Sequence, residues 1–211
     1  MCGRYKLSAK SESVWAHFDL HGEQLPLVPR FNIAPTQPVA MIRLPHQLEM
    51  MRWGIQVPNP KAGGFNVRVE SLAAPMYREA IRQRRCLVIA DGFYEWQPLV
   101  EAKKPFLVQR ADAQPFAFAG IWDQATLKNG AVVPACAILT TAVRGVVSRI
   151  HTRMPVILPA SAQAAWLDPA SKYRSLLEPD TSSLELVPIS NLVNSTQNDD
   201  ARLIEPLTDV H

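Results

Sequence analysis

Cys2 stands directly behind the initiator methionine, in the opening stretch MCGR. A small second residue generally permits removal of Met1, which would leave Cys2 with a free α-amine next to its thiol. An α-amine titrates near ~7.7–8.0 and a thiol near ~8.5. A minority of the amine is therefore neutral and nucleophilic at pH 7, where a lysine would need strong desolvation to match it. An aldehyde can condense with this amine to an imine, and the thiol can then add to the imine carbon. The product is a five-membered thiazolidine built from N, Cα, Cβ and S of Cys2 and the aldehyde carbon. Attack of the thiolate on a carbonyl, as in N-terminal-nucleophile hydrolases, is a second chemistry open to the same residue. A cysteine that is incidental to where the chain begins is the third reading.

Three further clusters place polar groups in apolar settings. In ADGFYEWQ, Glu95 lies between Tyr94 and Trp96; a carboxyl among aromatics is raised in pKa and suits general acid–base work, whereas plain strand alternation would send it to solvent. In IHTRMPVIL, His151 precedes Arg153 by two, so an extended chain turns both to one side; a lone histidine is otherwise a structural or exposed group. FNVRVE repeats that spacing with Asn66, Arg68 and Glu70, which makes either a solvated strand face or a polar site. Together the clusters and the terminal cysteine outline a candidate catalytic centre.

The chain has 211 residues, 47% hydrophobic and 19% charged. That suits a packed core and excludes whole-chain disorder. The 18 prolines are spread along the sequence, which favours many short strands and turns over long helices. No apolar run reaches the ~18 residues of a membrane span, and the first residues lack a secretory pattern. A cytoplasmic protein is expected. A net charge of +3 is too mild to declare a nucleic-acid partner. The local cluster YREAIRQRR, with Arg78, Arg82, Arg84 and Arg85, reads either as a solvated helix face or as a phosphate-binding rim. The cysteines number three, Cys2, Cys86 and Cys136, without a CxxC spacing. Reduced thiols are expected, with no disulfide framework, no metal site and no cofactor. Cys86 and Cys136 fall in apolar strand-like runs and read as small buried hydrophobes; Cys2 has no such packing context.

The elements that must position these groups are short. KSESVWAHFDL predicts an amphipathic helix capped by Ser11 or Ser13. RFNIAPTQPVAMIRL predicts a loop entering a strand, and QLEMMRWGIQVP its hairpin partner. ESLAAPMYREAIRQR predicts a helix with Pro75 in or near its first turn. RCLVIADGFYEWQ, KPFLVQR, FAFAGIWDQ, VVPACAILTTA, TRMPVILP and LELVPIS predict strands, and SAQAAWLDP and ASKYRSLLE short helices. No regular βαβ alternation appears. The expectation is an α+β fold, one domain over residues 1–211, mainly antiparallel β and barrel-like, with a few short helices.

The stretches MCGRY, RFNIAPTQ, RWGIQVP, FNVRVES, CLVIADGFYEW, FAGIWD, ILTTA, IHTRMPVIL and a closing ND…LIEP occur in this order between residues 2 and 206. In this the chain resembles the SRAP family of abasic-site processing proteins. It departs from the common NARSET form at Val67 and Val69 while keeping Asn66, Arg68 and Glu70. The resemblance implies a monomeric protein acting on single-stranded DNA that contains abasic sites. Cys2 would crosslink to the ring-opened aldehyde of the abasic deoxyribose and shield the lesion as a thiazolidine. Glu95 would manage proton transfers, His151 would assist ring opening and ring closure, and Asn66 would hold the Cys2 terminus. Arg4, Arg68 and Arg153 would contact phosphates, and Trp53 and Trp96 would stack on bases. Weak lyase activity by β-elimination from the imine, and peptidase-type removal of Met1, would accompany this. The alternatives are a thiol peptidase or amidase using Cys2, and a non-enzymatic single-strand binder.

Overall fold

The computed structural model describes residues 2–57, 64–100 and 102–207. Two sheets carry the architecture. The first runs in the order β13 (Leu184–Pro188), β8 (Lys103–Arg110), β7 (Gly92–Pro98), β1 (Tyr5–Leu7) and β2 (Arg30–Ile33), all antiparallel. The second contains β3 (Pro38–Arg43), β4 (Gln47–Trp53), β6 (Arg85–Ala90), β9 (Phe116–Thr126) and β10 (Val132–Ala142). These five close on themselves. β10 pairs with β4 on one edge and with β9 on the other, and β4–β3–β6–β9 completes the ring. Within the ring the β4–β10 contact is parallel and the others are antiparallel. The expected mainly antiparallel, barrel-like α+β fold is the observed one. Closure leaves no long open edge among these five strands.

Past the ring, β10 continues between β5 (Asn66–Arg68), parallel to it, and β11 (Arg153–Pro155), antiparallel to it. β12 (Ile157–Leu158) pairs with β9. The single strand expected for TRMPVILP is thus two. Val156 bridges the change of neighbour: its N–H donates to Leu139 of β10 and its carbonyl accepts from Ala119 of β9. Gly120 of β9 is required by close packing, since a Cβ there would sit 2.8 Å from the Cys86 Sγ. The ring encloses Trp53, Phe118 and Val88, and Tyr5 meets Trp53 and Phe118 edge-on at centroid distances of 5.2 and 5.8 Å. Offset and edge contacts of this kind add to the burial of apolar area.

Among the described residues three α-helices lie outside the sheets: α1 (Ser11–His17), α2 (Pro75–Gln83) and α3 (Ala160–Leu167). Pro75 opens α2, as its fixed φ and missing N–H allow. The cap expected for α1 is not formed. Ser11 instead donates to the Leu25 carbonyl and accepts from the Leu27 N–H, tying down the following loop. RFNIAPTQ is strand β2 followed by a turn rather than a loop, because Phe31 and its neighbours find an edge on β1. ASKYRSLLE yields only a 3₁₀ turn at Tyr173–Leu176. Among the described residues, no helix is long and apolar enough to cross a membrane.

Two polar knots hold the N-terminal segment. Lys6 and Asp91 form a buried ion pair at 3.0 Å, and the second Asp91 oxygen accepts from the Ser8 N–H, the Ser8 hydroxyl and the Ala9 N–H. Such a pair survives burial because its remaining lone pairs are also satisfied. Asn32, fully buried, accepts from Arg4 and donates to the carbonyls of Val193, Ser195 and Asn198. Asp199 accepts from the N–H groups of Phe31 and Asn32 and pairs with Arg30. The beginning and the end of the chain are thereby clamped to one strand.

Candidate active site at the junction of the two sheets

Cys2 enters β1, Glu95 lies in β7 beside it, Asn66 opens β5, and His151 sits between the 3₁₀ turn Gly145–Arg149 and β11. The four residues are distant in sequence and meet where the first sheet abuts the extension of β10. Asn66 Nδ2 donates to the Cys2 carbonyl at 2.6 Å. His151 Nε2 lies 3.8 Å from Glu95 Oε2. Glu95 is close enough to Cys2 for its charge to act on the thiol.

Cys2 is 0% exposed, in contrast to the open setting expected for it, and packs into the main core. Closure of the sheets around β1 buries it, which no local feature of MCGR announces. Burial raises its thiol well above the ordinary range, the Glu95 carboxylate adds to the rise, and Sγ donates weakly to the Arg4 carbonyl at 3.6 Å. The thiol therefore holds its proton at neutral pH. Cys86 and Cys136 are buried hydrophobes, as expected.

Glu95 is 2% exposed, and burial raises its carboxyl to about 7. It is buried rather than solvent-facing. Burial moves His151 the other way, below its ordinary value, so its imidazole is neutral at pH 7. His151 Nδ1 lies 2.9 Å from both the N and the O of Arg153. With Nδ1 accepting from the Arg153 N–H, the ring proton sits on Nε2 and faces Glu95; the other tautomer donates from Nδ1 to the Arg153 carbonyl. The Oδ1 of Asn66 is buried without a hydrogen-bond partner among the described residues.

An open cavity of about 590 Å³ lies against Glu95 and His151 and is bounded by Trp96, Lys103, Asn191 and Asn194. Two adjoining hollows share residues with it: one shares His151 and reaches Arg149, the other shares Lys103 and Asn191 and reaches Leu99 and Lys104. Together the three make a trough that holds Glu95 and His151 and carries Lys103, Lys104 and Arg149 on its walls. Among the described residues, no group of three His, Cys, Asp or Glu side chains converges as for a metal ion.

The residues expected to contact DNA divide. Trp96 is half-buried on the cavity wall, its Nε1 donating to Asn194. Arg68 is exposed. Trp53 is wholly buried, with Nε1 donating to the Phe65 carbonyl, so no base can reach its face and the stacking expected of it is corrected. Arg4 is engaged by Asn32 and the carbonyls of Val193 and Asn194. Arg153 forms a two-pronged pair with Glu70 at 3.1 and 3.0 Å and donates to the Thr140 carbonyl at 2.7 Å. Both arginines thus act first as struts of the site. The even alternation of Asn66, Arg68 and Glu70 ends at Arg68, because Val69–Ser71 turns into a 3₁₀ helix that brings Glu70 to Arg153. Sequence reasoning missed Lys103, Lys104, Arg149 and Asn194, which stand in no motif and are gathered by the fold alone.

Residues 1–196 match the sequence profile described as SOS response associated peptidase (SRAP). Abasic site processing protein YoqW of Bacillus subtilis is 33% identical over 223 residues, covering 97% of this chain and 99% of that protein. Abasic site processing protein YedK of Escherichia coli is 29% identical over 224 residues, covering 98% and 100%. Abasic site processing protein HMCES of Gallus gallus is 30% identical over 192 residues, covering 74% of this chain and 56% of that one. Among solved structures, a Bacteroides thetaiotaomicron protein superposes with a TM-score of 0.84 at 24% identity, covering 98% and 100% of the two chains, a likeness of fold. A phage-related protein of Bordetella bronchiseptica gives 0.71 at 27% identity, covering 90% and 95%.

Proposed function

The chain belongs to the SRAP family, and from that premise we propose that it captures abasic sites in single-stranded DNA through Cys2 once Met1 has been removed. The observation that carries this reading is the placement of one proton-holding carboxyl, Glu95, between a neutral imidazole and the terminal cysteine, whose carbonyl Asn66 grips at 2.6 Å.

The steps follow from the groups present. The closed deoxyribose at an abasic site is a hemiacetal. In the tautomer that donates Nδ1–H to the Arg153 carbonyl, the unprotonated Nε2 of neutral His151 takes the proton of the C1′ hydroxyl and returns it to the ring oxygen as the C1′–O4′ bond breaks to the aldehyde. The neutral α-amine of Cys2 attacks the aldehyde carbon and forms a carbinolamine. Glu95, protonated in part because burial raises it to about 7, gives its proton to the departing hydroxyl, and water leaves. The resulting imine carbon takes the Cys2 sulfur. As the sulfur adds, its proton passes to the Glu95 carboxylate and restores the acid, while the nitrogen keeps the one hydrogen it carried as an iminium. One C–N and one C–S bond have formed, and one water has been lost. Asn66 keeps the reacting terminus from swinging away, which is worth more than its one hydrogen bond because it fixes orientation.

The raised thiol favours one reading over the other. Chemistry that begins with a Cys2 thiolate, as in a thiol amidase, is disfavoured by the same burial that protects the thiol. Chemistry that begins with the amine is not, since the sulfur enters only after an electrophilic imine stands beside it. Elimination from the imine before sulfur adds would cleave the strand, so a weak lyase side reaction is part of the proposal. Removal of Met1 comes first, by an aminopeptidase or by the protein's own peptidase-type site, and the raised Cys2 thiol favours the former.

The strand runs along the trough, with Arg149, Lys103 and Lys104 on its walls meeting phosphates and Trp96 meeting a base. Arg68, exposed beside Asn66, adds a further phosphate contact. A missing base offers nothing to read, so affinity comes from backbone and shape, and a local cationic trough suffices. A direct test is Cys2→Ser, which keeps the amine but cannot form a thiazolidine. The variant is expected to lose the heat-stable adduct; a Cys2→Ser adduct as heat-stable as wild type would overturn the thiazolidine.

A further inference from the structure

The arginine-rich stretch at the end of α2 finds a use away from this site. Arg84 pairs with Asp123 at 2.9 Å and is structural. Arg82 and Arg85 line a separate cavity of about 530 Å³, together with Lys172, Tyr173 and Arg174, and it shares no lining residue with the trough. Along the paired strands, Asn66 faces Ile138, Ile138 faces Gly120, and Gly120 faces Cys86, the neighbour of Arg85. The cavity therefore lies three strand spacings, about 14 Å measured round the sheet, from Asn66.

Four of its nine lining residues are cationic and none is acidic. Arg85 is 3% exposed, and its Nε is buried without a hydrogen-bond partner among the described residues. Its other nitrogens reach the backbone carbonyls of Asp168 and Ser171 and the Ser171 hydroxyl. Asp168 offsets part of the Arg85 charge electrostatically, but among the described residues no carboxylate oxygen hydrogen-bonds the guanidinium itself. A buried guanidinium held mainly by carbonyls retains uncompensated charge, which an anion in the cavity would offset. The cavity also has an aromatic wall. Tyr173 has the guanidinium carbons of Arg85 and Arg174 each 5.8 Å from its ring centroid, and Arg85 lies 5.5 Å from that of Trp166. Cations and an aromatic face together suit a ligand that is planar at one end and anionic at the other.

We propose that this cavity binds a nucleotide, its phosphate held by Arg82, Lys172 and Arg174 over the fixed charge of Arg85 and its base laid against Tyr173. The nucleotide is either free or one residue of a DNA strand that continues beyond the trough.

The test is calorimetric titration of the whole protein with 2′-deoxyadenosine 5′-monophosphate, with adenosine and inorganic phosphate as part-ligands. The variant is Arg82→Ala/Lys172→Ala/Arg174→Ala, three exposed side chains whose loss leaves Arg85 packed. Saturable binding is expected, weakened about tenfold or more in the variant and about tenfold or more for either part-ligand, which is about 1.4 kcal/mol each. Equal affinity in the variant and wild type, or no saturable binding by wild type, would overturn the proposal. A labelled oligonucleotide without a lesion separates the two sources: its displacement by the mononucleotide assigns the site to a strand, and its retention assigns it to a free nucleotide. None of these readouts involves Cys2 or crosslinking, so the result stands apart from the fate of the catalytic proposal.

Discussion

Glu95 and His151 face each other across 3.8 Å, and burial displaces their proton affinities in opposite directions, the carboxyl upward and the imidazole downward. Near neutrality the arrangement therefore offers an un-ionised carboxylic acid beside a neutral base, a combination that two solvated groups would not adopt. Imine chemistry needs both, the base to open the hemiacetal and the acid to expel water.

Glu95→Gln keeps the shape of the side chain and removes the proton donor. The single-turnover crosslinking rate is expected to fall by about 10²–10⁴, with binding of lesion DNA little changed. In wild type, ionisation of Glu95, whose pKa is about 7, limits the rate on the alkaline side of the maximum. The rate declines on the acid side as the Cys2 amine protonates, around ~7.7–8.0 for an ordinary α-amine. A maximum between those values is expected, and a Glu95→Gln profile that keeps the wild-type alkaline limb would show that another group supplies the proton.

The same raised carboxyl costs stability. Its native value of about 7 stands above the reference of 4.5, so the native state is relatively favoured below 4.5 and loses that advantage as pH rises through 7. Glu95→Gln is expected to melt higher than wild type at pH 8, with the difference vanishing near pH 4. Thermal melts at the two pH values read this directly; a variant less stable than wild type at pH 8 would mean that the ionised carboxylate is well solvated.

Asn66 acts through its amide nitrogen. Asn66→Asp retains the volume but replaces the donor to the Cys2 carbonyl. A loss of about 1 kcal/mol of positioning, or about fivefold to tenfold in crosslinking rate, is expected for Asp and Ala alike. Wild-type rates in Asn66→Asp would leave the 2.6 Å contact without a role.

Phosphate contacts and struts separate by salt. Neutralising Lys103, Lys104 or Arg149 is expected to lower the slope of log affinity against log salt by about 0.7 per contact on single strands, without changing the melting temperature. Arg153→Ala breaks the contacts to Glu70 and Thr140 and is expected to lower the melting temperature first. Salt titrations and melts of the same four variants distinguish the two classes.

Much of the fold is legible in local pattern. The hairpin of β3 and β4 shows in the two successive strand-like runs PVAMIR and QLEMMRW, and Pro75 marks the start of α2. What is not legible depends on closure. Cys2 and Trp53 sit in stretches without long apolar runs, and only the folding of β1 across the ring buries them. Ser11 reads as a cap but is taken by a loop fourteen residues on. Arg4 and Arg153 read as free cations, and their partners, Asn32 and Glu70, lie 28 and 83 residues away. The candidate catalytic residue types are readable because their chemistry is unusual for their setting; the trough beside them is a product of tertiary packing.

The central claim is a covalent bond between Cys2 and the abasic sugar. Intact-protein mass spectrometry tests it, on protein verified to begin at Cys2 and mixed with a single-stranded oligonucleotide bearing one abasic site. The predicted result is a mass equal to Met1-less protein plus DNA minus one water, mapped to Cys2 and missing with the lesion-free oligonucleotide. Unmodified protein under these conditions, or an adduct mapped to any other residue, would contradict it.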